Sequence, residues 1–142
     1  MILLDTDHVT LLQHAEGDRY DRLMQRIDQL PPTETFAISV ITIEEQMRGW
    51  LAVLAKERQT RRQVAPYREL VALFDFFSRY AIALFDDPAA AQFDELRKAK
   101  IRVGTMDLKI AAIALVNHSV LVTANRRDFE QVPGLRVENW AD

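Results

Sequence analysis

Five short apolar runs recur along the chain with stretches of helical period between them, and this alternation restricts the fold more than any other feature. The runs are Ile2 to Leu4, Phe36 to Ile41, Tyr80 to Phe85, Ser119 to Thr123 and Leu135 to Val137, and each reads as a strand. After the first run, Val9, Leu11 and Leu12 begin a helix, and Tyr20, Leu23, Met24, Ile27 and Leu30 mark an amphipathic one that Pro31-Pro32 must end. From Thr42 the period lengthens, placing Ile43, Met47, Trp50, Leu51 and Leu54 on one helical face. Leu70, Val71, Leu73, Phe74 and Phe77 continue helical spacing up to Arg79, with Pro66 leaving the boundary before them open. Pro88 to Lys100 and the alanine-rich Met106 to Asn117 read as two further helices, and Arg126 to Glu130 as a single turn. Strands separated by helices long enough to cross over imply right-handed βαβ units and a mainly parallel sheet covered on both faces. The expected class is α/β, in one domain spanning residues 1–142.

Composition narrows the chemistry. With 49% apolar and 27% charged residues this is an ordinary folded chain, and with no cysteine it lacks disulfides, thiolate zinc sites and cysteine nucleophiles. That usage fits a reducing compartment. No apolar run approaches the roughly 18 residues a membrane span needs, and the opening MILLDTDHVT meets an acid too early for a signal peptide. A cytoplasmic location, with no membrane partner, is expected. The net charge of −3 opposes passive coating of nucleic acid, so contact with RNA or DNA would need a local basic surface or a bridging cation.

The acids fall where parallel α/β sheets bind ligands, beyond the carboxyl ends of the strands. Asp5 follows the first strand, Glu44 and Glu45 the second, Asp86 and Asp87 the third, Asp107 opens a later helix, and Asp128 follows the strand ending at Thr123. Helix capping explains the same residues: Thr42-x-x-Glu45 has the form of a capping box, Asn125-x-x-Asp128 of a weaker one, and Asp107 falls in a first turn. Taken singly, caps and ligands stay open. Taken together, Asp5 beside Asp7 and carboxylates after at least three strands form a concentration of like charge that needs a cation or protons to neutralise it. Mg²⁺ or Mn²⁺ suits such oxygen donors, and an ion there orients and deprotonates water for phosphoester hydrolysis.

Four segments in order resemble the PIN-domain ribonucleases, and within them the VapC-type toxins of bacterial and archaeal toxin–antitoxin pairs. They are LLDTD (Leu3 to Asp7), SVITIEEQMRG (Ser39 to Gly49), VGTMDLKIAAIAL (Val103 to Leu115) and VTANRRDFEQVPGLRVENW (Val122 to Trp140). The resemblance implies that Asp5, Glu45 and Asp107 bind metal and act in catalysis. It selects Glu45 over Glu44 because the family's glutamate stands four residues before a glycine, here Gly49. It leaves the fourth acidic position between Asn125 and Asp128, with Asp128 counted as a catalytic acid and Asn125 and Thr6 as supporting residues; Arg126 and Arg127, beside the expected crevice, read as phosphate contacts or as a surface pair. Asp7 stands where many relatives have asparagine and reads as a supporting or capping group; Gln46 replaces a common leucine. The resemblance further implies a three-layer α/β/α sandwich, Mg²⁺ with Mn²⁺ as a substitute, endonucleolytic cleavage of RNA, homodimerisation and inhibition by a small cognate antitoxin.

Other features carry less. Lys56 to Arg68 holds five basic groups and one acid, read as a solvated helix face or a guide for RNA or an acidic partner. Met47, Trp50, Leu51, Leu54, Phe74, Phe76 and Phe77 exceed one inward stripe, so Trp50 or Phe76 is expected to lie partly exposed. His8 and His118 read as ordinary residues. Two rival functions remain: a haloacid dehalogenase-like phosphatase, because Asp5-Thr6-Asp7-His8-Val9 fits its D-x-D-x-[TV] start with Asp5 as nucleophile, and a catalytically silent PIN-like module that binds RNA or protein.

Overall fold

Every expected strand forms, in a five-stranded parallel sheet flanked by seven α-helices; the computed structural model describes residues 1–142. β1 (Ile2–Leu4) leads into α1 (Thr6–His14) and α2 (Asp18–Asp28), and β2 (Phe36–Ser39) into α3 (Val40–Lys56). A 3₁₀ turn (Thr60–Gln63) joins α3 to α4 (Val64–Phe77), followed by β3 (Ala81–Ala83) and α5 (Asp87–Lys98). Then come α6 (Thr105–Val116), β4 (Val120–Val122), α7 (Arg126–Phe129) and β5 (Arg136–Glu138). No helix is long and apolar enough to cross a membrane.

The strand order is β3-β2-β1-β4-β5, and β1 is central, with Leu3 opposite Ala37 on one side and Leu121 on the other. The chain builds outward from β1 to β3 on one side, then returns to add β4 and β5 on the other. The crevice beyond the carboxyl ends of β1 and β4 is therefore the topological switch point, where sheets of this kind bind ligands. Alternate side chains of each strand supply two cores. Leu3, Ala37 and Leu121 pack with Phe93 and Leu96 of α5, Leu108 and Ile110 to Ala114 of α6, and Phe129. Ile2, Leu4, Ile38 and Val122 pack on the opposite face with Val9, Leu23, Leu73, Phe77 and Trp140. The three layers are thus α/β/α, as expected. Ile110 to Ala114 are buried on every side, which is why α6 is alanine-rich and lacks a polar face. Each large aliphatic side chain so buried contributes about 1.5–3 kcal/mol.

Element ends shift where a side chain outcompetes the backbone pattern. β2 stops at Ser39, two residues before the expected end, because the Ser39 hydroxyl caps α3 by accepting the Thr42 N–H at 3.3 Å. The capping box read into Thr42-x-x-Glu45 is consequently absent: Thr42 lies inside the first turn and Glu45 is released from capping. Pro66 sits in the first turn of α4, where its missing N–H costs nothing.

Candidate active site

Asp5 ends β1 at the switch point and is 6% exposed. Its N–H still pairs with the Val122 carbonyl at 2.9 Å, extending the β1–β4 ladder by one residue. One carboxylate oxygen accepts the Thr6 N–H at 2.8 Å and the other the Thr123 hydroxyl at 2.7 Å. Burial, reinforced by the charge of Asp7, pushes its carboxyl up to about 7; the Thr123 and Thr6 hydrogen bonds restrain the rise and the charge of Asp107 adds to it.

Glu45, half-buried in α3, accepts a long hydrogen bond from the Thr6 hydroxyl at 3.4 Å, and that hydroxyl lies 2.9 Å from the Thr42 hydroxyl. Burial and then the charge of Asp107 raise the Glu45 carboxyl above the usual carboxylate range. Asp107, in the first turn of α6, is raised by burial and then by Asp128 and Asp7. Asp128 itself accepts from Asn125 Nδ2 at 3.0 Å. The acids expected to converge, Asp5, Glu45, Asp107 and Asp128, therefore form one electrostatically linked group.

The neighbouring acids Glu44 and Asp86 have partners of their own, although the charge of Glu44 still adds to the rise of Glu45. Glu44 is tied to Arg48 at 2.6 Å. Asp86 caps α5 by accepting the Ala89 N–H at 3.1 Å, and Asp87 is exposed in its first turn, so the third strand contributes nothing to the cluster. Among the supporting residues, Arg126 is paired with Glu130 at 2.7 Å and Arg127 is exposed. The Asn125 N–H donates to the Thr123 hydroxyl at 2.9 Å, which fixes the turn after β4.

A divalent ion fits this donor set by its chemistry. All donors are hard oxygens, each of the three carboxyls is raised by a neighbouring acid, and no lysine or arginine pairs with Asp5, Glu45 or Asp107. As placed, no three acidic or histidine side chains close around one point. Gathering them on an ion would take side-chain rotation.

His8 departs from its sequence reading. It is wholly buried, 2.6 Å from Asp7 Oδ1 through Nδ1 and 3.3 Å from the Trp140 N–H through Nε2. Burial opposes ionisation of Asp7, yet the hydrogen bond and proximity of His8, with the Ala124 N–H hydrogen bond, outweigh it and hold the carboxyl below the usual range. The only sequence signal was an acid–histidine step directly after a strand-ending acid; the partner in the closing segment had no local trace.

The family follows from two kinds of likeness. The sequence profile of the PIN domain matches residues 2–135. This chain belongs to the PIN domain family. It is 33% identical over 112 residues to the tRNA(fMet)-specific endonuclease VapC of Salmonella typhimurium, covering 76% of this chain and 77% of that one. Ribonuclease VapC2 of Rickettsia felis is 28% identical over 142 residues, 97% of this chain and 96% of the relative. In three dimensions the PIN domain superposes on VapBC2 from Rickettsia felis, solved bound to a DNA fragment from its promoter, with a TM-score of 0.71, 28% identity and 99% of each chain covered. These relatives make it a VapC-type ribonuclease. The haloacid dehalogenase reading of Asp5-Thr6-Asp7-His8-Val9 is thereby set aside: here that string is a strand-ending acid that caps the helix which follows.

Proposed function

We propose that this VapC-type ribonuclease is a metal-dependent endoribonuclease, with Asp5, Glu45 and Asp107 holding Mg²⁺, or Mn²⁺ in its place. The observation that carries this reading is the gathering of those carboxylates at the β1/β4 switch point, where the charge of Asp107 raises both Asp5 and Glu45. When bound, the ion supplies a polarised water and charge stabilisation for the phosphodiester. The chain supplies the rest. Thr6 and Thr123 orient the two Asp5 oxygens, and the Thr6 hydroxyl steadies Glu45. Asp128, held by Asn125, completes the negative set as a fourth catalytic acid. Arg127, with Arg126 once released from Glu130, contacts phosphates of the RNA backbone.

As the single-domain toxin of a toxin–antitoxin pair acting in the cytoplasm, the protein would be a homodimer and would bind a small cognate antitoxin. An apolar surface supports protein partners. A groove of about 680 Å³ is lined by Trp50, Val53, Leu73 and Phe76, with Trp50 and Phe76 half-buried as expected. Val64, Tyr67, Val71 and Phe74 stand exposed in a row along α4.

The test is cleavage of structured RNA by purified protein with Mg²⁺, with Mn²⁺ and with EDTA, beside Asp5→Asn and Asp107→Asn. The account expects metal-dependent cuts that both variants lose. Cleavage that survives EDTA, or survives both substitutions, would refute it.

A further inference from the structure

A chain of hydrogen bonds, buried at both ends and partly exposed at Asp7, runs from the closing segment of the protein to Asp5. The backbone N–H of Trp140 donates to His8 Nε2 at 3.3 Å. A backbone N–H can only donate, so Nε2 carries the lone pair and the imidazole proton sits on Nδ1. That Nδ1–H donates to Asp7 Oδ1 at 2.6 Å. The second Asp7 oxygen accepts the Ala124 N–H at 3.0 Å and lies 3.2 Å from the Thr123 hydroxyl. Thr123 donates its one proton over the shorter 2.7 Å to Asp5 Oδ2.

Every polar atom of the two central side chains is therefore engaged, and three distant segments meet on them: the start of α1, the turn after β4 and the closing segment. That last segment is itself held down by one face of α2. Arg22 Nε donates to the Ala141 carbonyl at 2.6 Å, Arg19 pairs with Asp142 at 3.0 Å, and the Arg26 guanidinium stands 5.0 Å over the Trp140 ring.

We propose, resting on the assignment of Asp5, Glu45 and Asp107 as the metal site, that Asp7 and His8 are a positioning pair. Oriented by the Trp140 backbone, they fix the turn at Thr123 and Ala124 and so the direction in which Asp5 presents its carboxylate. In this account Asp7 acts through these hydrogen bonds, with one oxygen turned to His8 and the other to Ala124, rather than as a ligand. The pair also requires a carboxylate at position 7. A carboxamide has one accepting atom, so asparagine would turn its NH₂ toward either the His8 N–H or the Ala124 N–H and leave two donors facing each other.

Two measurements test the pair. The first needs no variant: ¹⁵N NMR of the His8 imidazole in metal-free protein should show the neutral form protonated on Nδ1, and an Nε2-protonated ring or an imidazolium at neutral pH would overturn the inference. The second is calorimetric titration with Mn²⁺ of the wild type, Asp5→Asn, Asp7→Asn, His8→Leu, His8→Asn and the double variant Asp7→Asn/His8→Leu. Asp7→Asn and His8→Leu should each bind Mn²⁺ about 10–100-fold more weakly, the magnitude typical of residues that orient a ligand. The double variant should be no weaker than the worse single one, since both remove the same link. His8→Asn, which keeps a donor toward Asp7, should recover most of the loss. Wild-type Mn²⁺ affinity in Asp7→Asn and His8→Leu alongside a loss in Asp5→Asn would overturn the positioning role and leave the metal site standing. A complete loss in Asp7→Asn with none in His8→Leu would make Asp7 a ligand and also overturn it. Full affinity in Asp5→Asn would instead remove the metal-site assignment on which the inference rests.

Discussion

Asp5 is held in the fold at a proton affinity far from that of a free aspartate, and the sign of the consequence can be worked out. Its carboxyl moves from 3.8 to about 7, so between those values the folded protein binds a proton that the unfolded chain releases. Stability of the metal-free protein therefore falls as pH rises through that window, and the upward shifts of Glu45 and Asp107 act in the same direction. Asp7 is lowered instead, and its contribution is lost only on acidification below the usual carboxylate range. Metal-free protein should melt at a higher temperature near about pH 5.5 than near about pH 8, and Mn²⁺ should raise the melting temperature more at the higher pH. Calorimetry at the two pH values checks this; a metal-free protein more stable at the alkaline value contradicts it. The two adjacent glutamates give a second prediction. Glu45→Gln should lower RNA cleavage on the order of a hundredfold or more, whereas Glu44→Gln, which loses only an exposed pair with Arg48, should cleave as the wild type does. Both assignments were legible in the residues through Gly49 and the family's spacing. The part played by His8 was not, because its decisive partner, Trp140, lies 132 residues away and no local periodicity reports it.

Among the elements, helices with a strong apolar period and the strands alike were readable to within about two residues, and the differences fall where a side chain redirects the backbone. β2 illustrates the reason: Phe36 to Ile41 is continuously apolar, but the Ser39 hydroxyl finds the Thr42 N–H, and helix formation begins two residues early. Asp86 shows the converse error. Its place after a strand suggested the site, yet its side chain caps α5. Asp86→Ala should therefore cost about 1 kcal/mol of stability while leaving RNA cleavage at the wild-type rate. Denaturant unfolding alongside the cleavage assay separates the two; a large loss of cleavage in this variant would bring the third strand back into the active site.

For the whole molecule, the parallel α/β class followed from the alternation of runs and helices, but strand order did not. Only the assembled sheet shows that β4 returns to the far side of β1, and that return makes Asp5 and Thr123 neighbours across 118 residues. The surface follows a similar logic. Exposed Val71 and Phe74 contribute little to the core, so Phe74→Glu should leave the melting temperature nearly unchanged while weakening self-association or antitoxin binding. Sedimentation of the protein alone and with its cognate antitoxin measures that, and undiminished association of both kinds would rule the α4 row out as an interface. The central claim is that Asp5, Glu45 and Asp107 gather on one hard cation. The most direct measurement is anomalous diffraction from crystals grown with Mn²⁺. The account predicts a peak bound by oxygens of all three side chains, with Asp7 still hydrogen-bonded to His8. No peak at the β1/β4 crevice, or a peak held by other acids such as Asp86 and Asp87, would contradict it.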